Sequence, residues 1–204
     1  MENEFIYFLP KNHQIASDEI ALISSALAGD LDSFNTLVLA YQKIVYNMAF
    51  RILGERFAAD DATQEAFILA FRKLSSFRSG SFRSWLLRIA TNVCYDELRH
   101  RKRHPTSSLE FHDEMGEEIE TLKWMVDPRE LPEEKLERAD LARTLQAAID
   151  TLPLEYRLVV VLVDIQGMDY AETAETLAIP IGTVKSRLAR ARAKLCVRLQ
   201  EKLL

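Results

Sequence analysis

From Asp30 to Gly54, apolar side chains return at three- and four-residue steps: Phe34, Leu37, Val38, Tyr41, Ile44, Val45, Met48 and Ile52. That period places them on one face of an α-helix. Asp30 can cap the first amide groups, and Gly54 supplies the stop. So long an amphipathic helix must bury its stripe against partners of the same period, and the chain provides them. A shorter helix is predicted from a Ser17 cap to Gly29. Another runs from Asp60 to Leu74 with Ala66, Phe67, Ala70, Phe71 and Leu74 on one face. After the Ser- and Gly-rich SSFRSGS loop, Trp85, Ile89, Val93 and Leu98 mark a fourth, closed by RHRKRHP at Pro105. With six Gly and six Pro in 204 residues, few turns are left for an all-β fold. The expectation is all-α.

The stripes fall into two groups. Residues 17–104 form one helical domain, preceded by an extension over 1–16. Residues 105–132 carry Pro, Gly, Ser and many acids with scattered Phe111, Trp124 and Met125; they read as an acidic linker extended by its own repulsion. A second helical domain follows over 133–204, with one helix through Leu141, Leu145 and Ile149, another from Tyr156 to Val163, and then the run MDYAETAETLAIPIGTVKSRLARARAKL. No apolar run approaches the ~20 residues of a membrane span, and the acidic start MENEFIYFLPKN is unlike a secretion signal. Cys94 and Cys196 form no CxxC pair and read as core thiols in a reducing compartment. The expected location is the cytoplasm, without membrane insertion.

Charge divides the chain more sharply than its net value of -5 indicates. Between Phe71 and Arg103 there are nine basic side chains against two acidic ones; between Thr106 and Asp140 there are twelve acidic against four basic; from Ile181 onward there are seven basic against Glu201 alone. Two cationic segments flank an acidic one. Such patches are the footprint of a polyanion partner whatever the total charge, although one such run alone would suit a solvated helix face.

The last cationic segment holds a specific spacing. Ala174 is small where two helices must approach. Ala178, four residues on, sits at a tight turn, and Val184, six further, faces back to the first helix. This is the packing a helix-turn-helix needs. Pro180 ends the first helix, and Thr183 can cap or support the second. Lys185, Ser186, Arg187, Ala189 and Arg190 then crowd the short run after the turn, with Lys185, Ser186, Ala189 and Arg190 on the face away from Val184 and Leu188. A helix carrying such residues can read bases and hold phosphates in a major groove. A helical hairpin with a solvated basic face is the plainer alternative.

The stretches DDATQEAFILAFRKLSSFR and FRSWLLRIATNVCYDELRHRKR resemble region 2 of bacterial sigma-70 type initiation factors. LPLEYRLVVVLVDIQGMDYAETAETLAIPIGTVKSRLARARAKL resembles their region 4. The two-domain form with one short linker is similar to the extracytoplasmic-function (ECF) group. The resemblance implies core RNA polymerase as partner, through its β′ coiled coil and β flap, together with promoter DNA and an anti-sigma factor. Asp61, Gln64 and Glu65 would grip the coiled coil, and Thr183 to Arg190 would read the minus-35 duplex. The loop from Phe77 to Ser84 would capture a flipped minus-10 base, with Arg78, Ser81, Phe82, Arg83 and Arg88 as its stacking surface and cationic track. Asn92, Asp96 and Arg99 would lie toward promoter bases, although Asp96 also reads as a simple ion-pair partner for Arg99. Phe82 is expected to be free of the helix stripe. Trp85, in step with Ile89 and Val93, reads as core before it reads as a stacking platform. The linker would thread toward the RNA exit path.

Rival readings explain less. A repressor or activator with a helix-turn-helix and a helical sensor domain accounts for the C-terminal part but leaves the upstream basic segment and the acidic linker without a purpose. His100 and His104 could pair on a metal, but they stand among Arg101, Lys102 and Arg103, whose charges repel cations. No Gly-rich phosphate loop or Ser/His/Asp arrangement is present. Neither catalysis nor a cofactor is expected.

Overall fold

The computed structural model describes residues 16–103 and 132–203. The N-terminal extension and the acidic linker lie outside them except at Ala16 and Pro132, each of which opens a helix. His104 and Pro105 lie outside them too. The described residues form α1 (Ala16–Leu27), α2 (Leu31–Leu53), α3 (Arg56–Lys73) and α4 (Phe82–Arg103), then α5 (Pro132–Asp150), α6 (Leu154–Val160), α7 (Tyr170–Leu177) and α8 (Ile181–Leu203). A 3-10 turn at Leu74–Ser76 follows α3, and a π turn at Val161–Ile165 follows α6.

Helix α2 is the pillar of the first four, packing against α1, α3 and α4. Its ends follow from single residues. The Asp30 carboxylate accepts from the amides of Asp32 at 3.3 Å and Ser33 at 3.2 Å, which satisfies two of the amides a helix start leaves open. At the other end Gly54 turns left-handed (φ 75°) and donates to the Phe50 carbonyl at 2.8 Å. A side chain at Gly54 would also press on the Asp150 carboxylate at 3.0 Å, but it is the left-handed φ that makes glycine the fitting residue here.

Three boundaries differ from expectation. Helix α1 starts at Ala16, so Ser17 lies inside it. Helix α3 starts at Arg56, because Ala58, Ala59 and Ala62 are buried: its first turns pack through methyl groups, which a search for large apolar residues overlooks. Helix α4 starts at Phe82, where the Ser81 hydroxyl accepts from the Ser84 amide at 3.1 Å. Cys94 is buried as expected, but Cys196 is exposed on α8.

The apolar run Leu158–Ile165 has two faces. Val159 and Val160 pack into a cluster with Ile149, Val184, Leu188 and Ala191 of the last four helices. Leu158, Val161 and Leu162, with Met168 beyond, join the cluster built by α1 to α4. The two halves of the chain therefore meet along an apolar seam. At one edge the buried Arg51 of α2 donates to the Gln146 side chain at 2.9 Å, and Arg157 donates to the Ile52 carbonyl at 2.8 Å and to the Asp150 carbonyl at 2.7 Å. Both guanidiniums satisfy carbonyl groups that burial would otherwise strand.

Candidate nucleic-acid interface

The helix-turn-helix is built as its spacing requires. Asp169 caps α7, accepting from the Glu172 amide at 2.8 Å while the Glu172 carboxylate accepts from the Asp169 amide at 3.0 Å, a reciprocal capping box. The turn is made by Ala178 in the left-handed region (φ 52°). Pro180 then opens α8, its carbonyl accepting from the Thr183 and Val184 amides at 2.8 and 3.1 Å. Thr183 therefore stands within the first turn of α8 and does not cap it.

Along α8, Val184, Leu188, Ala191 and Leu195 are buried, while Lys185, Ser186, Ala189 and Arg190 are exposed together. Their sides are fixed by the helical period. The Lys185 ammonium lies 5.8 Å from the centre of the Tyr170 ring. Arg187 is set apart from this group: it is half-buried and donates to Glu155 at 3.0 Å. Arg192 makes a forked contact with Asp164 at 2.5 and 3.0 Å, which raises its pKa further. Sequence reading missed Glu155 and Asp164 because their partners stand 32 and 28 residues away.

The upstream basic segment divides as well. Arg78 and Ser81 are exposed in the short loop, and Arg88, Asn92, Asp96 and Arg99 follow one another at turn spacing on the exposed side of α4. Arg99 lies over the Tyr95 ring at 5.7 Å. Phe82 is corrected: it is 2% exposed and packs against Tyr41, Phe77 and Trp85 with ring centres 5.4–5.7 Å apart. As the first residue of α4 it opens the stripe continued by Leu86 and Ile89, so its ring turns into the core instead of standing free of the stripe. Trp85 is half-buried against the same core.

Three polar residues at the start of α4 face the C-terminal half. Arg83 donates to the Gln166 carbonyl at 2.5 Å, Ser84 to the Glu172 carboxylate at 2.5 Å, and Arg88 to the Glu175 carboxylate. Burial pushes the Arg83 guanidinium down, with the nearby Tyr41 and Glu172 opposing. The other side of α4 forms an open groove with α3, lined by Phe57, Asp61, Glu65, Val93, Asp96 and Arg99. Two sets separate in sequence thus share one trough, and Gln64 is exposed beside it. Among the described residues no group of His, Cys, Asp and Glu is placed to hold a metal, and no helix is long and apolar enough to cross a membrane.

Comparison with known proteins agrees with this geometry. Residues 37–104 match the model of Sigma-70 region 2, and residues 142–195 that of Sigma-70 region 4. The chain is 36% identical over 88% of its length to ECF RNA polymerase sigma factor SigW of Bacillus subtilis, covering 95% of that protein. It is 39% identical over 81% of its length to ECF RNA polymerase sigma factor SigE of Mycolicibacterium smegmatis, spanning 61% of that longer protein. Among solved structures, CnrH in complex with the cytosolic domain of CnrY superposes with a TM-score of 0.62 at 28% identity, covering 90% of this chain and 97% of CnrH. RpoE of Bartonella quintana, bound to the anti-sigma factor NepR, shares the fold with a TM-score of 0.61 at 23% identity, covering 82% of this chain and 96% of RpoE. The chain belongs to the extracytoplasmic-function sigma factors of the sigma-70 family, proteins of promoter-directed transcription initiation.

Proposed function

We propose that residues 17–104 act as the minus-10 reader and core-polymerase anchor, and residues 133–204 as the minus-35 reader, in a cytoplasmic holoenzyme. One observation carries the assignment: α8 buries Val184 and Leu188 and exposes Lys185, Ser186, Ala189 and Arg190 side by side, a rigid base-reading strip on a packed helix. Lys185 and Arg190 supply phosphate and base contacts, Ser186 and Thr183 short polar ones, and Ala189 leaves room for a base edge. Arg187 supports the strip from behind through Glu155.

On the other half, Arg78, Ser81, Arg83, Arg88, Asn92 and Arg99 track the opened minus-10 strand. Base capture falls to the hydroxyls and backbone of residues 77–81, because Phe82 is core. Asp61, Gln64 and Glu65 beside the α3–α4 groove offer carboxylates and apolar surface to the β′ coiled coil, and the last four helices meet the β flap. CnrH is bound to the cytosolic domain of another protein, and an anti-sigma protein is the corresponding partner here.

Run-off transcription with core polymerase over a genomic promoter library tests the reading. Lys185→Ala and Arg190→Ala should each weaken promoter use by about 1–3 kcal/mol while leaving core binding intact, and Arg187→Ala should cost less. Tight sequence-specific duplex binding by the free chain, or loss confined to core binding, would favour the repressor reading or a misassigned helix face.

A further inference from the structure

The exposed strip on α8 is not uniform around the helix. On a helix of 3.6 residues per turn, Ser186, Ala189 and Arg190 lie within about 50° of the direction opposite the buried Val184, Leu188, Ala191 and Leu195. Lys185 and Arg192 lie about 90–110° from that direction, on one flank. Tyr170 stands beside this flank. It is the first residue of α7, directly after the Asp169 cap, and is partly exposed. Its ring centre lies 5.8 Å from the Lys185 ammonium, within the range at which a cation is drawn to an aromatic face. Arg192, two turns further along α8, feels the same residue: its pKa is raised first by the hydrogen bond to Asp164, and Tyr170 acts in the same direction.

The consequence for Lys185 follows from how the motif docks. A lysine is a point charge on a flexible stem, able to meet a base edge or a phosphate. In a helix-turn-helix the second helix enters the major groove while the first crosses the backbone. An ammonium drawn to the first residue of α7 is therefore drawn toward the phosphates and away from the floor of the groove. Arg190 points closer to that floor, and a guanidinium suits the paired acceptors of a guanine edge. We propose that Tyr170 is a positioning residue of the minus-35 interface: its ring holds Lys185 on the backbone side of the groove, so that Lys185 binds phosphate and Arg190, with Ser186 and Ala189, reads bases. The proposal deepens the minus-35 reading of α8 and rests on it.

Holoenzyme formed with core polymerase tests this. The probes are a promoter fragment recovered in the run-off screen and the same fragment with each minus-35 base pair replaced in turn, titrated across a salt series. Lys185→Ala should weaken binding to every fragment by one common factor and lower the salt slope by about 1. Arg190→Ala should instead flatten the preference at a base pair. Tyr170→Leu removes the ring but keeps an apolar side chain; it should weaken every fragment roughly two- to fivefold and cost nothing further in the Lys185→Ala background. Tyr170→Phe should restore affinity and slope. An equal loss in Tyr170→Phe would put the hydroxyl at the phosphate and overturn the proposal, as would a Tyr170→Leu loss that persists beside Lys185→Ala. If Lys185→Ala shifts the preference at one base pair and leaves the slope alone, Lys185 reads a base: the proposal falls and the α8 reading stands. If neither Lys185→Ala nor Arg190→Ala alters any fragment, the minus-35 reading falls with it.

Discussion

Arg83 and Phe82 are neighbours in the chain, yet one reaches for a partner across the seam and the other closes the core beneath it. Phe82 touches Tyr41, Phe77 and Trp85 with ring centres within 5.7 Å, edge-to-face with Phe77 and tilted against the other two. Phe82→Ala should therefore cost about 3–5 kcal/mol of stability through lost burial and the cavity left behind. Thermal unfolding of the free protein measures this, and an unchanged midpoint would mean that the ring is not core. The sequence misled at this residue because the loop was read to Ser84. Moved back to Ser81, the helix start puts 82, 86 and 89 on one stripe. The shared exposure of Lys185, Ser186, Ala189 and Arg190 was legible by contrast, since these residues are local to one helix. The engagement of Arg187 by Glu155 was not, because no period connects positions that meet only through folding.

At the scale of elements, the ends of α2 and the spacing of the helix-turn-helix were readable, since caps and small residues act within a few positions of one another. The start of α3 was not, because alanines carry the packing there. The turn between α7 and α8 stores a measurable strain. Ala178 occupies the left-handed region with φ 52°, where a Cβ crowds the following carbonyl and costs ~1–2 kcal/mol. Glycine removes that cost but raises the entropy of the unfolded chain by ~0.4–1 kcal/mol. Ala178→Gly should thus stabilise the chain by about 0.5–1 kcal/mol without altering promoter choice. Denaturant titration reads the gain, and a loss of stability would show that the alanine methyl group packs usefully in the turn.

For the whole molecule, the decisive segment is the run from Leu158 to Met168, which serves two cores. The sequence placed a helix from Tyr156 to Val163 here but could not say that its second face belongs to the other half of the chain, since apolar residues on all sides do not name the neighbour. Leu162 is wholly buried against α1 to α4 and is absent from the cluster of the last four helices. A charge there should break the seam and spare each half. Leu162→Glu places a carboxylate in a buried apolar interface, where ionisation costs several kcal/mol unless the surfaces part and admit water. With the seam intact the two halves share burial and should unfold together. In the variant, calorimetry should resolve two transitions, scattering should give a larger radius of gyration, and helicity at low temperature should be kept. Duplex binding through α8 should survive, because Val184, Leu188 and Ala191 keep their own cluster. A single transition at unchanged size would mean that the seam tolerates the charge and that the halves are held elsewhere, at Arg51 and Arg157. Collapse of both halves would mean that neither core stands without the other.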